Sequence, residues 1–228
     1  MISKEVTKTQ LSLPKGGGAI RGIGETFQPN EFTGTAGLSL PIPTSPCRGF
    51  EPRLTLEYSS GSGNGIFGIG FDLSIPNISR KTAKGIPQYR DDDNNDDPDI
   101  FLLSNAEDLV PMEGAPSVRT IDQVTYTVVT YRPRVEGLFA SIERWTDSQT
   151  GESHWRVVSQ ENITSIFGKT GETRIVDPAN SSHVFQWLLT ETFDAHGNHV
   201  VYEYKAEDGE GIPGQSHLNF YALKINYL

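Results

Sequence analysis

Arg53-Leu-Thr-Leu-Glu-Tyr-Ser-Ser-Gly-Ser-Gly-Asn-Gly-Ile-Phe-Gly-Ile-Gly-Phe-Asp-Leu-Ser-Ile75 is the stretch that decides the fold class. Leu54, Leu56 and Tyr58 alternate with Arg53, Thr55 and Glu57, the period-two pattern of a strand with one buried face. Gly61, Gly63, Gly65, Gly68 and Gly70 follow at once. Glycine at that density supplies positive-φ turns and close backbone approach, and it opposes a helix. Phe71, Leu73 and Ile75 then resume the alternation. The segment reads as strand, sharp corner, strand.

The same signature recurs outward from it. Leu38, Leu40 and Ile42 form a short strand that Pro41, Pro43 and Pro46 confine to an edge or a strand end. Ile100 to Leu103 is apolar, and Val124, Tyr126 and Val128 alternate in a β-rich region opening near Val118. Arg134 to Thr146 and His154 to Ser159 read as a hairpin across Asp147 to Glu152, and Asn162 to Phe167 with Thr173 to Val176 as a second across Gly168 to Gly171. Val184 to Phe193 leads through Asp194-Ala-His-Gly-Asn198 to Val200, Tyr202 and Tyr204, and the alternation closes on Leu223, Ile225 and Tyr227. Asn77 to Lys84 is polar, with Arg80, Lys81 and Lys84 basic. No amphipathic helix of useful length is visible. About thirteen short strands predict an all-β fold, an antiparallel β-sandwich or a curved β-sheet with long Gly/Pro-rich connections. Residues 1–228 are expected to form one domain, with 1–12 an extended arm and 91–99 an acidic loop, and the stop in mid-strand at Leu228 reads as a cut from a longer chain.

Composition narrows the function classes. Hydrophobic residues at 36% with 10% aromatics suffice for a core, and no apolar run approaches the length of a membrane helix. Residues 1 to 20 carry no apolar segment before a small-residue cleavage site, so synthesis in the cytoplasm without a signal peptide is expected. A formal charge of -10 and a pI near 4.9 repel phosphate backbones and anionic lipid, which disfavours nucleic-acid partners and direct membrane insertion. Cys47 is the sole cysteine, so the chain forms no internal disulfide and no cysteine-built zinc site. Asn77, Asn162 and Asn180 open glycosylation sequons that matter only in a eukaryotic secretory route.

Each candidate for chemistry meets a simpler reading. Gly63-Asn-Gly65-Ile-Phe-Gly68 matches a dinucleotide fingerprint, but Gly70, the alternation after it and Pro76 forbid the helix that would hold a pyrophosphate. Gly168-Lys-Thr170 resembles the end of a phosphate loop, yet Ile163 stands where the first glycine is required, so a hairpin turn is expected. His154, His183, His196, His199 and His217 are scattered; His196 and His199 flank a turn at a spacing that suits two metal ligands, with no third in view. Asp91 to Asp99 offers oxygen ligands for calcium but lacks the spacing and central glycine of a calcium loop, and a solvated loop is the simpler expectation. Trp145, Trp155 and Trp187 lie on expected strands, as core or as a sugar-stacking platform. No Gly-x-Ser-x-Gly occurs. Accordingly no catalytic, cofactor-binding or metal-ligating residue is assigned, and no cofactor is expected.

Eight landmarks also carry a family resemblance: Leu11 to Glu25, Gly37 to Phe71, Arg80, Gly85-Ile-Pro-Gln-Tyr89, Tyr131-Arg-Pro-Arg134, Phe167-Gly-Lys-Thr170, Gln186-Trp-Leu-Leu189 and Asn198 to Tyr204. In this order they resemble the amino-terminal domain of SpvB-type virulence proteins, which is shared with the B component of ABC-type insecticidal toxin complexes. Phe71 departs from the pattern, standing where that family is expected to carry Trp. Asp194-x-x-Gly-Asn-x-x-x-Tyr-x-Tyr204 is similar to the tyrosine–aspartate hairpins of Rhs-type repeats. The resemblance implies a non-catalytic structural domain. In that family the B component joins a C component in a hollow β-rich shell around a toxic polypeptide, and the shell docks on a pore-forming A component. Those partners, or later segments of the same chain, and an extracellular destination are therefore expected. Some SpvB-type proteins carry ADP-ribosyl transfer in a separate carboxy-terminal part that relies on a Glu-x-Glu pair; this chain has none. The alternative is a β module that binds glycan or a receptor through its loops, Trp145 and Trp155.

Overall fold

The computed structural model describes residues 26–30, 34–65, 67–91, 98–104, 107–135, 137, 139–206 and 220–227. The expected arm at 1–12 and the centre of the acidic run, 92–97, lie outside them. The first group of strands is β1 (Thr26–Asn30), β2 (Thr35–Ile42), β3 (Leu54–Ser59), β4 (Asn64–Gly65), β5 (Gly68–Ile69) and β6 (Phe71–Leu73). The second is β7 (Asn77–Arg80), β8 (Phe101–Leu103), β9 (Glu107–Pro111), β10 (Ser117–Ile121), β11 (Val124–Pro133), β12 (Ser141–Asp147), β13 (Ser153–Val158), β14 (Thr164–Phe167), β15 (Arg174–Asp177), β16 (Asn180–Phe193), β17 (His199–Ala206) and β18 (Phe220–Tyr227). A single 3₁₀ turn, Gly171–Thr173, is the one helical element among the described residues. The fold is all-β, and every pairing is antiparallel.

The curved sheet closes on itself. Following hydrogen-bonded neighbours, β14, β13, β12, β11, β9, β8, β7 and β16 form a path whose two ends, β14 and β16, also pair, giving an eight-stranded barrel. A barrel of this size has an interior just wide enough for side chains to fill. Residues opposite one another on paired strands share a face, so the lumen can be traced through the ladders. Arg80 faces Phe101, Phe101 faces Leu109, and Leu109 faces Pro133. Farther round, Tyr131 meets Ile142, Ile142 meets Val157, Arg144 meets Trp155, and Trp155 meets Phe167. Ile78 opposite Trp187 completes the circuit. Ile78, Ile142, Trp155 and Trp187 are wholly buried, and Phe101, Phe167 and Leu189 nearly so. Each such side chain contributes roughly 1.5–3 kcal/mol of apolar burial.

Closure refines one expectation and corrects another. Asn77 to Lys84, read from sequence as a polar stretch, opens with a central strand, Asn77-Ile-Ser-Arg80, whose Ile78 and Arg80 turn inward. The segments flanking Gly168 to Gly171 do not form a hairpin. β14 spends one edge on β13 and the other on β16, so β15 has no place beside it and instead lies farther along the same edge of β16. Gly168 makes that step feasible: its φ is +69°, and a Cβ there would stand 2.2 Å from Cδ1 of Trp187. The hairpin expected across Asp147 to Glu152 does form, joining β12 to β13.

Two features hang off the barrel. The long strand β16 pairs β7 along its middle and β17 near its end, so the sheet forks there and carries β17 and β18 outward. Tyr204 secures the fork by donating its hydroxyl to the Leu189 carbonyl at 2.8 Å. A separate four-stranded sheet, in the order β1-β2-β3-β6, is built from the glycine-cornered segment. Its corner holds the small β4–β5 hairpin.

Candidate functional site

The barrel lumen holds the densest polar chemistry among the described residues. Arg80 is 3% exposed, which no arginine tolerates without partners. Its Nε donates to the Val184 carbonyl at 2.7 Å, and its Nη1 and Nη2 grip the Asp91 carboxylate, Nη2 at 2.9 Å. Nη1 also reaches Asp99 at 2.9 Å. Arg144 closes the network from β12, placing Nη2 2.5 Å from Asp91. Both guanidiniums lie over aromatic rings: Arg80 is 5.0 Å from the Phe101 centroid and 5.6 Å from that of Trp187, and Arg144 sits at 5.1 and 5.9 Å from the same two rings. Cation–π attraction of this kind strengthens where water is excluded.

The ends of the acidic run thus have a definite role. Asp91 and Asp99 face inward as counter-charges, and they bind the connection between β7 and β8 against the lumen. Asp99 also accepts N–H groups from Gln88 at 3.1 Å and Tyr89 at 2.7 Å. Burial alone would raise the Asp91 carboxyl; the hydrogen bond from Arg80 and the charges of both arginines outweigh it and hold the group below the usual carboxylate range. Tyr89, at φ +55°, stacks on His183 with ring centroids 4.3 Å apart. The cluster contains two cations against two carboxylates, all engaged. Its chemistry is that of a clamp: it neutralises charge and fixes a loop.

A second cluster lies on the outer wall. Trp145, 2% exposed, stacks near His154 and meets Tyr126 edge-on, while Arg119 and Arg156 stand over its ring. Glu143 accepts from the indole Nε1 at 3.0 Å and pairs with Arg119 at 2.9 Å. Burial, reinforced by Lys169, Arg174 and Arg156, pushes the His154 imidazole down to about 4, so it is neutral at pH 7.

The remaining residues singled out in sequence are dispersed. Trp155 and Trp187 are lumen side chains, Trp187 donating Nε1 to the Ser153 carbonyl at 2.9 Å. With Trp145 also covered, none of the three offers an open ring face for a sugar. His199 pairs with Glu191 at 2.9 Å, and His196 sits in the turn that Asp194 organises through backbone N–H groups. Among the described residues no three His, Cys, Asp or Glu side chains converge on a metal position. Gly65 and Gly68 pair within a two-stranded hairpin, with no helix behind them. Cys47 is half-buried and free. Sequence reasoning missed the arginine pair; the available signal was Ile78 and Arg80 at strand spacing, followed by an acidic run.

Comparison with known proteins decides the family. The family model described as SpvB, Salmonella virulence plasmid 65kDa B protein, matches residues 30–222. The chain belongs to the SpvB family. A mono(ADP-ribosyl)transferase SpvB from Salmonella choleraesuis (strain SC-B67) is 37% identical over 208 residues, covering 90% of this chain and 34% of that protein. The chain therefore spans about a third of the length of the curated relatives it matches. The crystal structure of TcdB2-TccC3 superposes at a TM-score of 0.81 and 37% identity, covering 96% of this chain and 11% of that one. The structure of the N-terminal domain of effector protein SpvB from Salmonella typhimurium strain LT2 superposes at 0.74 and 35% identity, covering 83% of this chain and 62% of that one. The resemblance read from the eight sequence landmarks is thus borne out.

Proposed function

We propose that this chain is a structural domain of a toxin-complex B-type or SpvB-type virulence protein, lending its strands to a shell that encloses a toxic polypeptide and helps deliver it. The observation that carries this reading is the closed barrel itself, whose lumen is filled by aromatic rings and an arginine–aspartate clamp, on a chain that superposes almost end to end within TcdB2-TccC3. A lumen packed with wholly buried rings and ion pairs supports construction. By the same reading the chain is not an enzyme, any ADP-ribosyl transfer belonging to a separate carboxy-terminal part. Its partners are then a C-type component, an A-type pore and further polypeptide of its own protein, and its destination is extracellular. The glycan-binding alternative loses its platform, because Trp145, Trp155 and Trp187 are all covered.

The test is replacement of the matching region of TcdB2 by this chain. The chimera should co-purify with TccC3 and form hollow particles in negative-stain electron microscopy. A well-folded chimera that neither retains TccC3 nor closes into particles overturns the reading.

A further inference from the structure

We propose that one face of the four-stranded sheet is a docking surface for a β-layer of aliphatic side chains, supplied by polypeptide that accompanies this fold in its longer relatives. This rests on the structural role proposed above and names where that role is exercised.

The register assembles the surface. Leu38 lies opposite Tyr58 and Tyr58 opposite Phe71; Leu40 lies opposite Leu56 and Leu56 opposite Leu73; Ile42 lies opposite Leu54. Directly opposed residues share a face, so these eight apolar side chains form one continuous patch. The reverse face carries Ser39, Glu57 and Asp72 in one row and Thr55 with Pro41 in another. None of the eight is fully buried, and Ile42 is 40% exposed. Among the described residues, none belongs to the buried core cluster or to the half-buried residues packed around it. A sheet with one apolar face gains stability when a second layer buries that face.

The patch is also preformed. Tyr58 and Phe71 pack ring to ring at 4.8 Å. Tyr58 lies against the bare backbone of Gly70, where a Cβ would come within 2.7 Å of the ring. This glycine lets the aromatic lie flat, and its φ of +83° turns the chain back toward β6.

Two observations choose the occupant. A second copy of the chain would bring together two bodies of net charge -10, which opposes self-association. Both solved relatives, by contrast, contain polypeptide beyond this fold, since the match accounts for 11% of the TcdB2-TccC3 chain and 62% of the SpvB N-terminal domain. A strand layer from such polypeptide meets the apolar patch in the way that paired sheets of a sandwich meet.

The test has two arms, both using the double variant Leu40→Glu, Leu56→Glu with Ser39→Glu as the reverse-face control. In the isolated 228-residue protein, the double variant should keep the parent's urea midpoint by tryptophan fluorescence, because all three tryptophans report the barrel, and should bind several-fold less of a hydrophobic dye. In the TcdB2 chimera, it should lower TccC3 co-purification at least tenfold, while the control retains it. Equal TccC3 recovery from both chimeras overturns the inference. So does loss of cooperative unfolding in the isolated double variant, which would mean that this chain's own residues cover the face, or a dimer by light scattering that the double variant dissolves. If the unmodified chimera fails to hold TccC3, the proposed function falls, and the isolated arm still decides whether the face is open.

Discussion

Arg80→Met is the most demanding test of the lumen clamp. Methionine keeps much of the stem that lies over Phe101 and Trp187 while removing every donor. Asp91 would retain Arg144 at 2.5 Å. Asp99 would keep the backbone N–H groups of Gln88 and Tyr89 but lose its ion pair with Arg80, on a side chain 12% exposed. The Val184 carbonyl would lose the donor now at 2.7 Å. Removing one partner of a buried pair costs about 3–5 kcal/mol, chiefly because the surviving charge is stranded. For a protein of this size that is a fall of roughly 10 °C in Tm. Urea unfolding followed by tryptophan fluorescence at pH 7 measures it. The pH dependence supplies an independent check. A carboxyl held low in the folded state contributes stability that is present above its unfolded value, near 3.8, and is lost as pH falls through the lower folded pKa. Arg80→Met weakens that depression, so its acid-unfolding slope below pH 4 should be shallower than the parent's. Arg80→Lys retains charge without the fork geometry and should fall between the two. A stability loss under about 1 kcal/mol for Arg80→Met would refute the clamp, since a stranded buried carboxylate is not that cheap.

Gly168→Ala forces a Cβ into Trp187 at a positive φ and should cost roughly 2–5 kcal/mol by chemical denaturation. Trp187→Phe removes the bond to the Ser153 carbonyl and leaves a void, with an expected loss of about 2–3 kcal/mol and little change in the circular dichroism of the sheet. His154, pushed down to about 4 in the fold, is protonated in the unfolded chain below about 6.5. The parent should therefore lose on the order of 2–3 kcal/mol as pH falls from about 6.5 toward 4, and His154→Phe should flatten that slope in urea titrations at pH 7 and 4.5.

Local chemistry was legible in the sequence wherever one segment determined its own shape. The alternation at Leu54, Leu56 and Tyr58 and the resumption at Phe71 are both strands, and the glycines between them form the corner. Asp147 makes its hairpin turn by accepting the N–H of Gln149 at 2.7 Å, and Asp194 organises its own turn in the same manner. A period of two, however, tells which face is buried and says nothing about which strand lies alongside. Barrel closure depends on β14 and β16 meeting, and neither strand carries a residue that announces the other. Arg80 was obscured for a different reason: a charge at an inward position looks like part of a polar stretch unless its counter-ions are known. Those stand 11 and 19 positions later in Asp91 and Asp99. The tryptophans were ambiguous until neighbouring strands covered them.

Closure through β16 also sets a timetable for the nascent chain. Arg80 finds its carbonyl partner in Val184, 104 positions downstream. At about 5–20 residues per second, the ribosome takes roughly 5–20 s to deliver that partner after Arg80 has been made. From the completion of β8 until the end of this interval, β7 has one neighbour and an empty second edge, with an arginine and an isoleucine turned toward a wall not yet synthesised. Early translation pauses between Arg80 and Val184 would lengthen that exposure, whereas pauses after Phe193 would come once the cylinder has every stave. Synonymous codon changes in the two windows should therefore differ in soluble yield although the protein produced is identical.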